Sequence, residues 1–253
     1  MTTKRVGLVT VAQLDIALPW VLALTAYCDA LLVVAKSPAL LAQLAAQLDI
    51  THTEPLAASD VVGRPCVFEF VQADLGHTEG QGRLTDLIRQ RGPLYCAVNL
   101  CGHQSDAIFA TAGTILSDAS KVSMPQKDVP QSTFVDAAMD TVLASVRRDI
   151  DATLLLSQAV LAGMKQSELG VLMQVWIEGP INSNLKPLHQ AASQFVEQFS
   201  MGIATQLGEA YPNIKVQYFR WASVPAENAE TAVVNTPKAL FSEVFNADFL
   251  ARQ

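Results

Sequence analysis

The chain has 253 residues, of which 50% are apolar and 16% charged, and its formal net charge is -7. This length suits a single large core, so we expect residues 1–253 to form one domain. A negative charge without a run of Lys or Arg excludes the usual surface for nucleic acid or anionic lipid. The low share of charged residues indicates that part of the surface is covered by other subunits.

Runs rich in β-branched and aromatic residues alternate with longer helical patterns along the chain. The strand-like runs are 6–10, 31–35, 67–72, 95–99, 171–177 and 215–219. The helical patterns are 17–28, 38–48, 82–90, 134–164 and 189–207. This alternation predicts βαβ units with parallel strands. We therefore predict an α/β fold, a Rossmann-like doubly wound parallel sheet in a three-layer αβα sandwich.

Cysteine usage and the apolar stretches indicate the cellular location. The four cysteines are Cys28, Cys66, Cys96 and Cys101. They lack the spacing of metal ligands, so we expect reduced thiols. No signal-peptide pattern opens the chain, and Pro19 and Asp29 interrupt the most apolar stretch, 16–34. We expect a cytoplasmic protein that does not enter the membrane.

Segment 103–132 departs from the regular alternation. It follows the fourth predicted strand and is rich in Ser, Thr, Gly, Asp and Pro. A stretch of this length without an element pattern is unusual inside a compact domain. Because doubly wound folds bind ligands at the carboxyl ends of their strands, we expect a long loop insertion that acts as a lid or a partner-contacting arm.

Residues 6–37 read VGLVTVAQLDIALPWVLALTAYCDALLVVAKS. This stretch resembles the first βαβ unit of the short-chain dehydrogenase/reductase family, whose turn reads TGxxxGxG. Thr10 matches the threonine of that motif. Its glycine positions hold Val11, Asp15 and Ala17 instead.

The lost glycines bear directly on cofactor binding. In the family, glycines let the backbone amides at the helix start approach the pyrophosphate of a dinucleotide. Val11 places a branched side chain at the first of these positions. Asp15 would place a carboxylate near a phosphate, and such a pair about 4 Å apart repels by roughly 4 kcal/mol at an effective dielectric near 20. We therefore expect that this chain binds no NAD(P).

Later segments resemble the family in the same order. Asp74 in VQADLGH matches an aspartate that family members use near the adenine, and AVNLCG keeps Asn99 and Gly102 at the outer positions of the NNAG motif. Asp74 could equally end a strand, and Asn99 could fix a turn through its side-chain amide. Both residues could therefore persist for the fold alone.

The resemblance also locates the catalytic positions. In DIDATLLLSQAVLAGM, Asp149 stands at the family's proton-relaying asparagine, and in HQAASQFVEQFSMGIATQLG the helix that begins YxxxK carries His189 and Ser193 at its tyrosine and lysine. Residues 176–178 occupy the region of the catalytic serine and contain no hydroxyl group. The chemistry needs a phenol whose pKa an adjacent ammonium lowers, and Ser193 carries no charge. We predict no catalytic residue on this chain.

The end of the chain also departs from the family. Trp221 and Ala222 stand where PG usually follows the sixth strand. The remaining residues, up to Gln253, are too few for the usual substrate-covering helices and a full seventh strand. We therefore expect a shortened C-terminus.

These features favour a non-catalytic subunit, a pseudoenzyme with the dehydrogenase fold. We expect it to pair with an active short-chain dehydrogenase/reductase paralogue that carries NAD(P), in a hetero-oligomer that is a dimer or a tetramer. In the family, the helices matching 149–164 and 189–207 make the dimer contact, and both have few charges. The resemblance extends to heteromeric members that combine a competent with an incompetent subunit and act on hydroxyacyl or ketoacyl thioesters.

Two other functions remain open. The vacated pocket could bind a small molecule, with segment 103–132 reporting its presence. Alternatively, His189 with Asp149 could form an acid/base pair in an unconventional enzyme, because a carboxylate that holds an imidazole is a common activating device.

Overall fold

The computed structural model of the chain describes residues 4–53, 66–102, 139–178, 186–222 and 236–245. Among the helices in these ranges, none combines the length and the apolar character needed to cross a membrane. The predicted loop insertion at 103–132 and the final residues of the predicted shortened C-terminus lie outside the described residues. Both therefore stay predictions.

One parallel sheet forms the middle layer. Its strands are β1 (Val6–Val11), β2 (Ala30–Ala35), β3 (Val67–Gln72), β4 (Cys96–Cys101), β5 (Gly170–Glu178) and β6 (Ile214–Ala222). Their order across the sheet is β3-β2-β1-β4-β5-β6, and every neighbouring pair is parallel. Strands β1, β2, β4 and β5 are buried almost throughout, which is why they read as continuous apolar runs.

Helices connect and cover the strands. They are α1 (Leu14–Leu24), α2 (Pro38–Thr53), α3 (Thr78–Arg91), α4 (Met139–Ser167), α5 (Lys186–Gly208) and α6 (Pro237–Val244). Helix α1 begins and ends earlier than the predicted 17–28. Asp15 lies in its first turn, where a carboxylate interacts favourably with the helix dipole.

The helices divide between the two faces of the sheet. On the first face, α1, α2 and α6 pack against side chains such as Val9 and Val33. On the second face, α3, α4 and the C-terminal part of α5 pack against side chains such as Leu8 and Leu172. The predicted α/β sandwich with a parallel sheet is confirmed.

Candidate functional site

The carboxyl ends of β1, β4 and β5 are where this topology can hold a ligand. The strand order changes direction between β1 and β4, because β2 lies on one side of β1 and β4 on the other. The helices that follow these two strands, α1 and α4, cover opposite faces of the sheet, and a crevice forms at such a point beside the carboxyl ends of the strands.

The end of β1 and the first turn of α1 carry the three positions that match the glycines. Val11 is the last residue of β1 and is 3% exposed in the core of the first face. Ala17 is also buried, whereas Asp15 is exposed. Gln13 caps the helix in an extended conformation, and non-glycine residues of positive φ among the described residues are confined to Glu168. The turn is therefore built with ordinary backbone angles and filled by side chains.

These residues do not fit the pyrophosphate of a dinucleotide. A glycine-rich cradle leaves the amides at the helix start open, whereas here Val11, Asp15 and Ala17 each add a Cβ atom at the corresponding positions. The carboxylate of Asp15 adds a negative charge in the first helical turn, where an anion would have to bind. The misfit concerns a dinucleotide whose pyrophosphate binds at the start of α1. That this chain binds no NAD(P) stays a prediction.

Asn99 lies at the centre of a buried hydrogen-bond network that joins three strands to α4. Its Oδ1 accepts from the Thr10 hydroxyl at 2.8 Å, and its Nδ2 donates to Gln174 Oε1 at 2.7 Å and to Thr153 Oγ1 at 3.4 Å. Gln174 Nε2 in turn donates to Ser157 Oγ at 2.9 Å. All five side chains are at most 3% exposed. Asn99 therefore serves the fold, but through contacts between strands and not through a turn.

Asp74 follows β3 and is occupied by local contacts. Its carboxylate accepts the Gly76 N–H at 3.0 Å and contacts Lys36 Nζ at 2.8 Å and His77 Nδ1 at 2.9 Å. Partial burial would raise the pKa of the carboxyl, but hydrogen bonds from Lys36, Gly76 and His77 outweigh it and hold the pKa below its usual value. Asp74 thus ties the end of β2 to the start of α3, which agrees with a role in the fold.

His189 lies at the meeting point of β4, β5 and α5. The imidazole packs edge-on against the indole of Trp176, with ring centroids 4.6 Å apart, and its Nε2 donates to the carbonyl oxygen of Gly102. Because a carbonyl oxygen can only accept, this contact requires the proton on Nε2 and leaves Nδ1 as the acceptor nitrogen of the neutral ring. Gly102 has a φ of 95°, and a Cβ there would come within 2.7 Å of the Trp176 ring. Glycine is therefore required at this turn.

Ser193 lies one helical turn after His189 and makes a contact that the sequence did not suggest. Its Oγ lies 2.8 Å from the phenolic oxygen of Tyr218 on β6, which also accepts from Arg220 Nε at 3.3 Å. Arg220 Nη2 binds Glu197 Oε2 at 2.9 Å. Burial raises the pKa of Tyr218, and the hydrogen bonds from Ser193 and Arg220 only partly oppose this effect. The phenol therefore stays protonated at neutral pH.

Asp149 is buried on α4 near the end of β4. It is 8% exposed, and its charge adds to the burial that raises the pKa of the Cys101 thiol well above its usual value. Cys101 Sγ donates to the carbonyl of Val175 at 3.4 Å. Among the described residues, His189 contacts Gly102 and Trp176, and the predicted pairing with Asp149 stays a prediction.

The structure brings several predicted positions to one edge of the sheet, but it divides them between separate sets of contacts. Asn99 belongs to the buried network, His189 to the contact with Gly102, and Ser193 to the contact with Tyr218. Tyr218 and Arg220 were not predicted as site residues. The sequence could have identified them through the strand period of two, which places both residues on the face of β6 that α5 covers. Across the described ranges, no group of three or more His, Cys, Asp or Glu side chains could hold a metal ion.

Solved structures of similar fold match nearly the whole chain. An oxidoreductase of the short-chain dehydrogenase/reductase family from Burkholderia thailandensis has a TM-score of 0.59 at 17% identity, covering 96% of this chain and 76% of its own. The bulky-bulky ketone specific alcohol dehydrogenase from Comamonas testosteroni has a TM-score of 0.61 at 17% identity, with coverages of 98% and 84%. A Beutenbergia cavernae protein solved with NADP at low occupancy has a TM-score of 0.58 at 14% identity, with coverages of 98% and 81%.

Comparison of the amino-acid sequence gives no such likeness. No protein-family model matches it, and no curated protein matches it either. The likeness therefore lies in the path of the backbone and in the order of the elements, which run through the described parts of all three layers. This chain has the fold of short-chain dehydrogenase/reductase oxidoreductases.

Proposed function

We propose that this chain is a catalytically inactive member of the short-chain dehydrogenase/reductase family that supports an active, NAD(P)-dependent paralogue. The fold supports the family assignment. The observation that best supports a loss of catalysis is the set of contacts made by α5. This helix lies against the ends of β4 to β6, and its His189 and Ser193 are bound to Gly102 and Tyr218.

The contacts of α5 oppose the family's chemistry. A tyrosine of this family gives up its proton near neutral pH because a lysine ammonium stands one helical turn away. Here the corresponding side chains are an imidazole that donates from Nε2 and a neutral hydroxyl. Tyr218 cannot replace the lost tyrosine directly, because its pKa is raised and its oxygen is shared between Ser193 and Arg220.

The cofactor belongs, in this proposal, to the partner subunit. The glycine positions of the motif carry side chains here, at Val11, Asp15 and Ala17. This substitution supports the proposal that the paralogue binds NAD(P) and this chain does not. The NADP of the Beutenbergia cavernae protein supports this cofactor class for the fold. The active paralogue would keep TGxxxGxG and YxxxK intact.

Helices α4 and α5 are the proposed partner surface, over 149–164 and 189–207. Two of the large apolar side chains that remain exposed among the described residues lie here, Leu154 at 36% and Met201 at 55%. Water-exposed helix faces usually carry charges, so an apolar and weakly charged face favours burial against a second subunit. The expected assembly is a hetero-oligomer, either a dimer or a tetramer.

The substrate class proposed for the complex rests on a functional parallel. Heteromeric short-chain dehydrogenases that combine a competent and an incompetent subunit act on hydroxyacyl or ketoacyl thioesters. The hydroxyacyl-CoA dehydrogenase of the benzylsuccinate pathway, in anaerobic toluene degradation, is one such system. We therefore propose hydroxyacyl-CoA dehydrogenation as the reaction of the partner, in the cytoplasm.

Cofactor binding tests the loss of the dinucleotide site. We expect isothermal titration calorimetry of the purified chain with NAD⁺ and with NADP⁺ to give no binding up to about 1 mM, because the first turn of α1 carries the Asp15 carboxylate and lacks the glycines of the motif. The active paralogue is the positive control in the same buffer. A micromolar dissociation constant for either dinucleotide would refute the proposal.

Native mass spectrometry of the complex from the source cells tests the partnership. We expect the chain to co-purify with a dehydrogenase that carries both intact motifs, which tryptic peptides would identify. A purely homomeric complex would argue against the proposed function.

A small-molecule binding protein is the second candidate, and one observation favours it. Ser193, Tyr218 and Arg220 place two hydroxyl groups and a guanidinium together at the ligand-binding edge of the sheet. The native mass spectrum separates the two functions, because a sensor would retain a small ligand and lack a dehydrogenase partner.

A further inference from the structure

Three polar side-chain atoms on the first face of the sheet are buried without a hydrogen-bond partner. They are Trp20 Nε1, Trp221 Nε1 and Gln217 Oε1, and no group of the described residues bonds any of them. An unbonded buried polar group lowers stability, which Phe or Leu at the same position would avoid. These atoms therefore call for a hydrogen-bonding group that the described residues do not supply.

The three atoms border one strip of β6, formed by Gln217, Phe219 and Trp221. These residues alternate along the strand and so share a face, beside the buried first-face residues of β5. Trp20 on α1 is completely buried and lies edge-on to Trp221, with ring centroids 6.2 Å apart. The β6 strip thus has two N–H donors at one end and the Gln217 acceptor about 13 Å away along the strand, with the Phe219 ring between them.

The β6 strip is less covered than the rest of the first face. The first-face residues of β5 are 0–2% exposed, whereas Gln217, Phe219 and Trp221 are only partly buried. Strand β6 is the last strand of the described sheet, and the end of α6 is fixed near its start, where Lys215 Nζ donates to the Val244 carbonyl at 2.8 Å. Solvent therefore reaches the strip at the edge of the sheet.

The polar atoms define the chemistry of a ligand. Indole N–H groups only donate, so the end at Trp20 and Trp221 fits an acceptor such as a carbonyl oxygen. Gln217 Oε1 only accepts, so the other end fits a hydroxyl or an amide N–H. No residue of the β6 strip is charged, so a charged ligand would lose its hydration without a counter-charge.

We propose that the β6 strip binds a neutral small molecule with a carbonyl oxygen at one end, a hydroxyl or amide donor at the other, and an apolar body that lies on Phe219. The carbonyl accepts from the indole N–H groups of Trp20 and Trp221, and the donor binds Gln217 Oε1. This site lies on the face of the sheet opposite to α5 and needs no partner subunit.

Three related compounds test the site in the purified chain. The first, para-hydroxybenzylacetone, carries both polar groups, whereas benzylacetone lacks the hydroxyl and para-butylphenol lacks the carbonyl. We expect para-hydroxybenzylacetone to shift the indole N–H signals of Trp20 and Trp221 in ¹H–¹⁵N NMR spectra. The signal of Trp176, which packs against His189 on the other face, should stay unchanged. Loss of either polar group should weaken binding about tenfold, because each removes one buried hydrogen bond.

Gln217→Leu is the variant that tests the acceptor. It removes a buried atom that has no partner among the described residues, so it should not lower the melting temperature. We expect this variant to bind para-hydroxybenzylacetone no better than benzylacetone. Gln198→Leu, on the exposed side of α5, is the control and should keep the preference of the unaltered chain. Trp221→Phe should likewise remove the preference for para-hydroxybenzylacetone over para-butylphenol.

Three results would overturn the site. If no compound shifts the Trp20 or Trp221 signal at millimolar concentrations, a water molecule suffices for the indole groups. If all three compounds shift these signals equally, or if Gln217→Leu keeps the preference, the contact is apolar only. The proposed function is judged separately, because a chain that binds the ketone and co-purifies with no dehydrogenase keeps this site and loses the partner.

Discussion

The two faces of the sheet use their apolar residues differently. On the first face, the aromatic side chains of α1 and α6 contact each other, and Trp20 and Phe241 are both completely buried. On the second face, α4 and α5 bury one side, while Leu154 and Met201 stay exposed on the other. The first face thus stabilises the chain itself, and the second keeps apolar surface available for association.

Phe241 gives the largest expected effect and tests the first face. Its ring centroid lies 5.7 Å from that of Trp20, 5.8 Å from Tyr27 and 6.0 Å from Phe245. We expect Phe241→Ala to lower the free energy of unfolding by about 3–5 kcal/mol, because it leaves a cavity among aromatic rings. Urea denaturation followed by circular dichroism measures the change.

The neighbouring Ser242→Ala is the control for this experiment. The Ser242 side chain is exposed, and its hydroxyl donates a hydrogen bond to the carbonyl oxygen of Ala239. We expect removal of this hydroxyl to change the free energy of unfolding by less than about 0.5 kcal/mol. Equal effects of the two substitutions would mean that the aromatic contacts between α1 and α6 do not stabilise the first face.

Asn99 tests the polar core beneath the second face. Asn99→Leu keeps the approximate shape of the side chain but removes the acceptor of the Thr10 hydroxyl and the donor to Gln174 Oε1, so we expect a loss of about 2–4 kcal/mol in unfolding free energy. In a double-mutant cycle, the Asn99→Leu/Gln174→Leu variant should lose less unfolding free energy than the sum of the losses of the two single variants. Strict additivity would contradict a coupled network.

Asp74 gives the smallest expected effect, because its contacts lie near water. Its folded pKa is lowered, so its contribution to stability is complete above the unfolded pKa of roughly 4 and is lost as the pH falls through the folded value. We expect Asp74→Asn to destabilise the chain by less than about 1 kcal/mol at pH 7. The difference from the unaltered chain should disappear in acid.

Asp86→Asn is the matched control for this pH dependence. Asp86 and its partner Arg89 are both mostly exposed, at 67% and 75%. Chemical unfolding at a series of pH values should show a pH-dependent difference between the Asp74 variant and the unaltered chain, and at pH 7 a smaller loss of stability for the Asp86 variant, whose ion pair is screened by water. A difference at position 74 that grows as the pH falls would contradict the lowered pKa.

The candidate site was predictable where a motif could be followed along the chain. The positions of Val11, Asp15, His189 and Ser193 were identified by resemblance, and the structure places them at the end of β1, in the first turn of α1 and on α5. Their contacts were not predictable. Ser193 meets Tyr218, 25 residues away, and neither residue belongs to a motif that names the other.

The alternation of strand and helix patterns determined the architecture, because the periods of two and 3.6 residues are local properties that short stretches of sequence already display. The role of each polar residue was decided by tertiary structure alone. Asn99 and Gln174 are 75 residues apart, and His189 and Gly102 are 87 apart. Such partners meet only when parallel strands and α5 are assembled, and burial then makes each hydrogen bond obligatory.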